Sequence, residues 1–214
     1  MVENWDKILN ALRSNKNFGQ KWSKILDDHQ TIELEQANKL VGHKKAAHVF
    51  LWAKNDQKLW GISQLASIMM QMRFDGYIGF PGGLIDPEDS DIVQGLNREL
   101  EEEINLEKEF FCTQHDYFFT CVCHSRKLVL HFYVKEVSHD QFKAMEQKSL
   151  VAEEYGKEVL GIIRPPLYKI SPNKGFSVFV QSNFIGNALV QLLKTIDHLK
   201  ILKTDELLSF IDSC

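Results

Sequence analysis

The sequence is short of cysteine, of long apolar runs and of charge excess in either sign, and each shortage closes off a class of protein. Only Cys112, Cys121, Cys123 and Cys214 occur in 214 residues. They lack the paired CxxC spacing of a structural zinc site and the density of a secreted disulfide scaffold, which points to a reducing compartment. Nowhere do about eighteen consecutive apolar residues occur, and the opening MVENWDKILNALRSNKNFGQKW mixes charge throughout. A membrane-spanning helix and a secretory leader are therefore not expected, and an intracellular, soluble chain is. The 29 acidic and 25 basic residues leave a formal charge of −4. No field over the whole surface would draw in a polyanion, so nucleic-acid binding would need a local basic patch. Repeats, low-complexity tracts and Gly/Ser linkers are missing as well, which argues against a chain divided by linkers.

What is present has the balance of one globular domain: 44% hydrophobic and 25% charged residues suffice for a sizeable core and a soluble surface. Trp5, Ile8, Leu9 and Leu12 fall at helical spacing, and Ile25, Ile32 and Leu34 continue it more weakly, so residues 1–40 read as an N-terminal helical extension before a main domain at 41–214. Short apolar runs at 46–53 and 66–72 read as strands, and the GYIGFPGG that follows reads as loop. Ile92, Leu96, Leu100 and Ile104 recur every four residues, predicting an amphipathic helix over 90–106. Residues 110–122 and 128–137 read as two strands able to form a hairpin, and 139–154 as a polar helix. EVLGII reads as a strand stopped by Pro165 and Pro166, with SNFIGNALVQLLKTI and TDELLSFI as closing helices. Alternating strands and helices predict an α/β fold, an α/β/α sandwich with a mixed sheet.

The chemistry concentrates between Gly82 and Leu106. On a helix Glu99, Glu102 and Glu103 stand at i, i+3 and i+4, so their carboxylates share one face. Like charges at that spacing cost about 0.2–0.5 kcal/mol per pair, whereas hard divalent cations, Mg²⁺ or Mn²⁺, seek such oxygen clusters. An isolated acidic triplet would be a solvated face. Here Arg98 stands beside the cluster, able to hold a carboxylate through paired hydrogen bonds, and Gly82 and Gly83 allow backbone groups close to an ion or phosphate. Cys121 and Cys123 point to one side of a strand, but CxC alone is weak evidence for metal and reads as packing.

The GG followed by RELEEEINL resembles the signature of the Nudix hydrolase superfamily, G-x5-E-x7-R-E-apolar-x-E-E-x-G-apolar. Arg98, Glu99, Leu100, Glu102, Glu103 and Leu106 match it. Two positions depart. The early glutamate falls on Asp89 counted forward from Gly83, or on Ser90 counted back from Arg98, and Asn105 replaces the late glycine, where its tolerance of left-handed geometry suits a helix end. MMQMRFDGYIGFPGGLID, GLNREL, HFYVKEV, GKEVLGIIRPPLY and SNFIGNALVQLL are further similar to the nuclear small-nucleolar-RNA decapping enzymes, Nudix proteins that also hydrolyse inosine diphosphates. The resemblance implies metal-site roles for Gly82, Glu99, Glu103 and Glu158, and contacts to base, ribose or phosphates for His48, Arg73, Phe80 and Gln191. Each of these has a plainer reading: an edge-strand histidine, loop packing, a solvated helix position or a strand-start residue. Cys121 and Lys194 stand where relatives carry a histidine and an acidic residue.

The expectation is a metal-dependent diphosphate hydrolase. Glu99, Glu102, Glu103 and Glu158 would hold Mg²⁺ or Mn²⁺, and Glu102, Glu103 or Glu158 would act catalytically, one of them taking the proton of the attacking water. The substrate would be a capped RNA or a nucleotide diphosphate such as (deoxy)inosine diphosphate, with no membrane partner. The alternatives are an ADP-ribose or nucleotide-sugar diphosphatase and a catalytically idle RNA-binding module. The resemblance also implies a homodimer and a nuclear location, in nucleolus and nucleoplasm, with a cytoplasmic share open.

Overall fold

The computed structural model describes residues 2–171 and 174–213; Cys214 lies outside them. The chain opens with helices α1 (Val2–Ser14) and α2 (Gly19–Asp28), a short strand β1 (His29–Ile32) and a brief helix α3 (Leu34–Asn38). The long strand β2 (Lys44–Leu59) turns back into β3 (Ile62–Ile68), which continues past Met69 as β4 (Met70–Arg73), followed by β5 (Ile78–Gly79) and β6 (Gly82–Leu84). Helix α4 (Ile92–Ile104) leads to a hairpin of β7 (Tyr117–Cys123) and β8 (Leu128–Glu136), then α5 (His139–Ser149) and β9 (Val159–Ile163). The ribbon β10 (Lys169–Ser171) and β11 (Lys174–Gly175) precedes helices α6 (Phe176–Phe179), α7 (Ala188–His198) and α8 (Thr204–Asp212).

The main sheet runs β1-β7-β8-β2-β3, with β6 on β2 as well. It is mixed, because β2 and β8 pair in parallel from Lys44↔Leu128 to Trp52↔Glu136 while the other pairings are antiparallel. A second sheet, β5-β4-β9, grows from the switch at Met69. β2 explains the layering. Side chains alternate along a strand, and here both alternating sets over 46–53 are apolar except at His48, as in a strand covered on two faces. Ala47, Val49, Leu51 and Ala53 pack with Leu96, Leu100 and Ile104 of α4 and with Phe142 and Met145 of α5. Ala46, Phe50 and Trp52 pack with Leu189, Leu192 and Ile196 of α7, Leu207 and Ile211 of α8, and Ile8 and Leu12 of α1. The expected α/β/α sandwich with a mixed sheet is what the structure shows. No helix among the described residues is long and apolar enough to cross a membrane.

Helix α4 has defined ends. The Asp91 side chain accepts from Val93 N (2.8 Å) and Gln94 N (2.9 Å), satisfying donors of the first turn. Asn105 closes the helix in the left-handed region, at φ 52° and ψ 44°, the task the sequence assigns to it.

The helix read over 139–154 stops at Ser149 and that read from Ser182 starts at Ala188, and three further segments differ from the sequence reading. GYIGFPGG is not wholly loop: β5 pairs with β4, and β6 with β2 through His48↔Gly82 and Ala47↔Gly83. A strand can run so near because Gly82, at φ +118°, has no Cβ to collide with the Ala47 carbonyl. Residues 110–116 are not strand, because the Asn97 side chain takes both backbone groups of Cys112 (Nδ2–O 2.9 Å, N–Oδ1 2.7 Å) and short 3₁₀ turns flank it. In the N-terminal segment, β1 pairs with β7 as a sheet edge, where the apolar spacing suggested only helix. That segment belongs to the core: Ile8, Leu12 and Trp22 are fully buried.

Candidate active site

One guanidinium organises the exposed side of α4. Arg98 grips Asp89 with two parallel bonds, Nε–Oδ1 at 3.2 Å and Nη2–Oδ2 at 3.1 Å, and its Nη2 donates to the Leu84 carbonyl at 3.2 Å. Its Nη1 donates to Glu99 Oε1 (3.0 Å) and Glu102 Oε2 (2.9 Å), and Asp86 Oδ2 stands 3.3 Å from Nη2. Of the two residues the motif count leaves open, Asp89 and Ser90, Asp89 is the one in contact with Arg98. Arg98 holds the Asp89 carboxyl below the usual carboxylate range, and the acidic neighbours push the guanidinium's own pKa up.

Glu103 faces the other way. It is 4% exposed, and its Oε2 accepts from the Gly82 amide at 2.8 Å and from Gln71 Nε2 at 3.2 Å. Those donors are neutral, so burial dominates and pushes the carboxyl up to about 8. Glu99 is half-buried and also raised, again by burial first. It lies against Gly83, where any Cβ would overlap its carboxylate. Glu102 is half-buried beside it. Glu158 sits on an exposed turn whose backbone ties Phe74 N to the Glu158 carbonyl (2.9 Å), while Glu154 N reaches the Glu102 carbonyl (3.0 Å). Among the described residues no hydrogen bond or ion pair engages the Glu158 carboxylate. The structure does not gather Glu99, Glu102 and Glu103 into one cluster with ligand atoms all within 4.8 Å: Arg98 holds the first two, Gly82 and Gln71 the third.

A cavity of about 750 Å³ opens beside this helix, and His48, Arg73, Phe80 and Gln191 all line it, with Gly83 at its edge. His48 is half-buried on β2; its imidazole is lowered to about 4, first by desolvation and then by the Arg73 cation. Arg73 pairs with Asp75 (Nη2–Oδ2 3.1 Å) and acts electrostatically on both His48 and Glu103, linking the cavity to the carboxylates. Phe80 is 3% exposed, its ring edge-on to Phe132 (5.0 Å) and tilted against Phe50 (5.8 Å). It offers the cavity a wall rather than a free stacking face. Gln191 is buried on α7.

Sequence reasoning missed the far wall. Lys21, Lys24, Asp28 and His29 from the N-terminal segment line the cavity, with Cys123 and Arg126 from the β7–β8 hairpin. No local pattern marks them; they meet because β1 pairs with β7. Asp28 is lowered to about 2, chiefly by the Ser125 hydroxyl and amide. The His29 imidazole is lowered and the Cys123 thiol raised, both by burial first. Of the motif departures, Cys121 is buried and accepts from Asn187 Nδ2 at 3.2 Å. The Lys194 ammonium lies 4.0 Å from the Phe119 ring centroid on β7 and 5.9 Å from that of Trp5 on α1, so its charge is engaged in cation–π contacts, chiefly with β7.

The donor set on α4 fits a hard divalent cation. Four carboxylates, of Asp86, Asp89, Glu99 and Glu102, share a single guanidinium, and Glu103 lies buried next to them without a cation of its own in contact. That is an uncompensated excess of oxygen donors next to backbone that glycine keeps accessible.

A family model described as Nudt16-like: U8 snoRNA-decapping enzyme-like matches residues 45–202. The U8 snoRNA-decapping enzyme of Mus musculus is 38% identical over 181 residues, covering 83% of this chain and 93% of that protein. The Tudor-interacting repair regulator protein of Mus musculus is 33% identical over 180 residues, covering 82% of this chain and 84% of that protein. Among solved structures, a mutT/nudix family protein from Listeria innocua aligns at 16% identity with a TM-score of 0.46, covering 73% of this chain and 94% of that one.

Proposed function

Because this chain belongs to the Nudt16-like, U8 snoRNA-decapping enzyme-like family and is thus a Nudix hydrolase, we propose that it cuts a diphosphate linkage at the capped 5′ end of an RNA. Free (deoxy)inosine diphosphates are its small substrates, and Mg²⁺ or Mn²⁺ is its cofactor. The observation that supports this reading best is the shared cavity: His48, Arg73, Phe80 and Gln191 come from separate parts of the chain and line one space that borders the Glu99 helix.

Glu99, Glu102 and Glu103, with Glu158 and the Gly82 backbone, would hold the ion, which when bound offsets charge on the diphosphate and acidifies a water. Arg73, held by Asp75 through Nε and Nη2, donates to phosphate oxygens through its remaining Nη1. The neutral His48 imidazole exchanges hydrogen bonds with ribose or base without adding charge. Glu103, Glu102 or the exposed Glu158 takes the proton of the attacking water. A capped small nucleolar RNA as substrate would place the protein in nucleolus and nucleoplasm, and homodimerisation belongs to the same reading.

A hydrolysis panel with Mn²⁺ tests it, comparing capped RNA, inosine and guanosine diphosphates, and ADP-ribose. Capped RNA and inosine diphosphate should lead; ADP-ribose in first place would replace the reading with an ADP-ribose diphosphatase. One rival is a catalytically idle RNA-binding module. RNA binding with no substrate cleaved would establish that rival.

A further inference from the structure

Away from α4, the side chains of Asp28, His29 and Cys123 bring three ligand atoms within 4.8 Å of one another. The first two residues end α2 and begin β1, and His29 stands directly opposite Cys123 in the β1–β7 register. We propose that these three side chains form a second metal site, for Zn²⁺ or a similarly thiophilic divalent cation, with a fourth coordination position open to the cavity.

The donor set separates it from the helix carboxylates. One imidazole, one thiolate and one carboxylate is a combination suited to zinc, and three protein ligands with one open position is the usual plan of an accessible zinc site. The oxygen-only face of α4 suits Mg²⁺ or Mn²⁺ instead. Bond lengths near 2.0–2.3 Å put tetrahedral ligand atoms roughly 3.5 Å apart, and Cys123 Sγ already lies 3.2 Å from Asp28 Oδ2.

The supporting hydrogen bonds are those a metal site needs. His29 Nδ1 lies 2.8 Å from the Ile25 carbonyl, which can only accept, so the proton is on Nδ1 and the Nε2 lone pair is free. Gly186 leaves room beside Nε2, since even an added Cβ there would stay 3.7 Å away. Asp28 is fixed by the Ser125 amide at 2.8 Å and the Ser125 hydroxyl at 2.6 Å. A thiol nucleophile is the competing use of Cys123, and the geometry opposes it: the thiol donates to a carboxylate, whereas activation needs a cation beside the sulfur. On coordination the S–H bond gives way to an S–metal bond, and the proton leaves to solvent.

Two further features follow from the location. Asp28 and His29 precede the matched family residues 45–202, so the site draws on a segment outside that match. Lys21, Lys24 and Arg126 line the same cavity; their charge disfavours a bare cation and favours an ion whose open position holds an anion.

Cobalt substitution of the full chain tests the assignment. Protein stripped with EDTA and titrated with Co²⁺ should develop a sulfur-to-cobalt charge-transfer band at one equivalent, discharged by Zn²⁺ but not by excess Mg²⁺. Cys123→Ser should abolish the band and Glu99→Gln should leave it intact. His29→Ala, half-exposed and safer for the fold, should weaken Zn²⁺ binding at least tenfold with an unchanged thermal melt in EDTA. Absence of the band in the unaltered chain overturns the site. So does a band of full strength in Cys123→Ser, which would assign the sulfur to Cys112, Cys121 or Cys214, or an unchanged Zn²⁺ affinity in His29→Ala.

Discussion

The α4 side and the cavity side of this site carry opposite charge. On α4, Asp86, Asp89, Glu99 and Glu102 lean on the one guanidinium of Arg98. Around the cavity, Lys21, Lys24, Arg73 and Arg126 outnumber Asp28 and Asp75. The two meet where Glu99 lies on Gly83, which borders the cavity. At this site a chain with a formal charge of −4 keeps its charges apart. A phosphate chain is welcome on one side and repelled by the other unless cations intervene, which is the situation of a metal-assisted diphosphate hydrolase.

Changing the acidic side should have the largest effect. Glu103→Gln is expected to lower turnover of a capped RNA by more than about 100-fold, the upper range for losing merely an outer-shell partner of a metal. The same variant has a stability signature. The Glu103 carboxyl is raised from 4.5 to about 8 in the folded protein, so its contribution is complete below 4.5 and disappears as the pH climbs through 8. In EDTA, Glu103→Gln should match the parent at pH 4.5 and grow steadily more stable relative to it up to pH 8, by denaturant unfolding. A pH-independent difference would mean that burial is not what perturbs this group.

Arg98→Ala comes next. It leaves the half-buried Asp89 carboxylate without its paired donors, which costs about 1–3 kcal/mol. A loss under about 1 kcal/mol in urea titration would show that Arg98 does not organise the acidic side. The basic side should respond least. Replacing Lys21 and Lys24 together with alanine should raise KM for capped RNA a few-fold, leave kcat unchanged and make binding less salt-dependent. An unaltered salt dependence would remove these lysines from the ligand's path.

The acidic side was legible in the sequence because it is local. Spacing within a single helix sets Glu99 and Glu102 beside Arg98, and Asp91 and Asn105 cap that helix through their own side chains and backbone. The same spacing does not show that Glu103 turns away to Gly82 and Gln71. The family likeness named four cavity residues, and all four line one space. The basic wall was not legible, since β1 is four residues long and its place is fixed by pairing with β7, some ninety positions later in the chain. Such a register depends on pairing with a distant strand, not on local spacing. For the same reason CxC reads only as packing in the sequence. That holds for Cys121, whereas Cys123 faces Asp28 and His29.

Calorimetric titration of a non-hydrolysable cap analogue into the full chain, once with Mg²⁺ and once with EDTA, examines the opposed charges directly. Binding should be at least tenfold tighter with Mg²⁺, and Glu99→Gln should erase that advantage. Equal affinity under both conditions would contradict the account, because the acidic helix would then have no part in holding the phosphates.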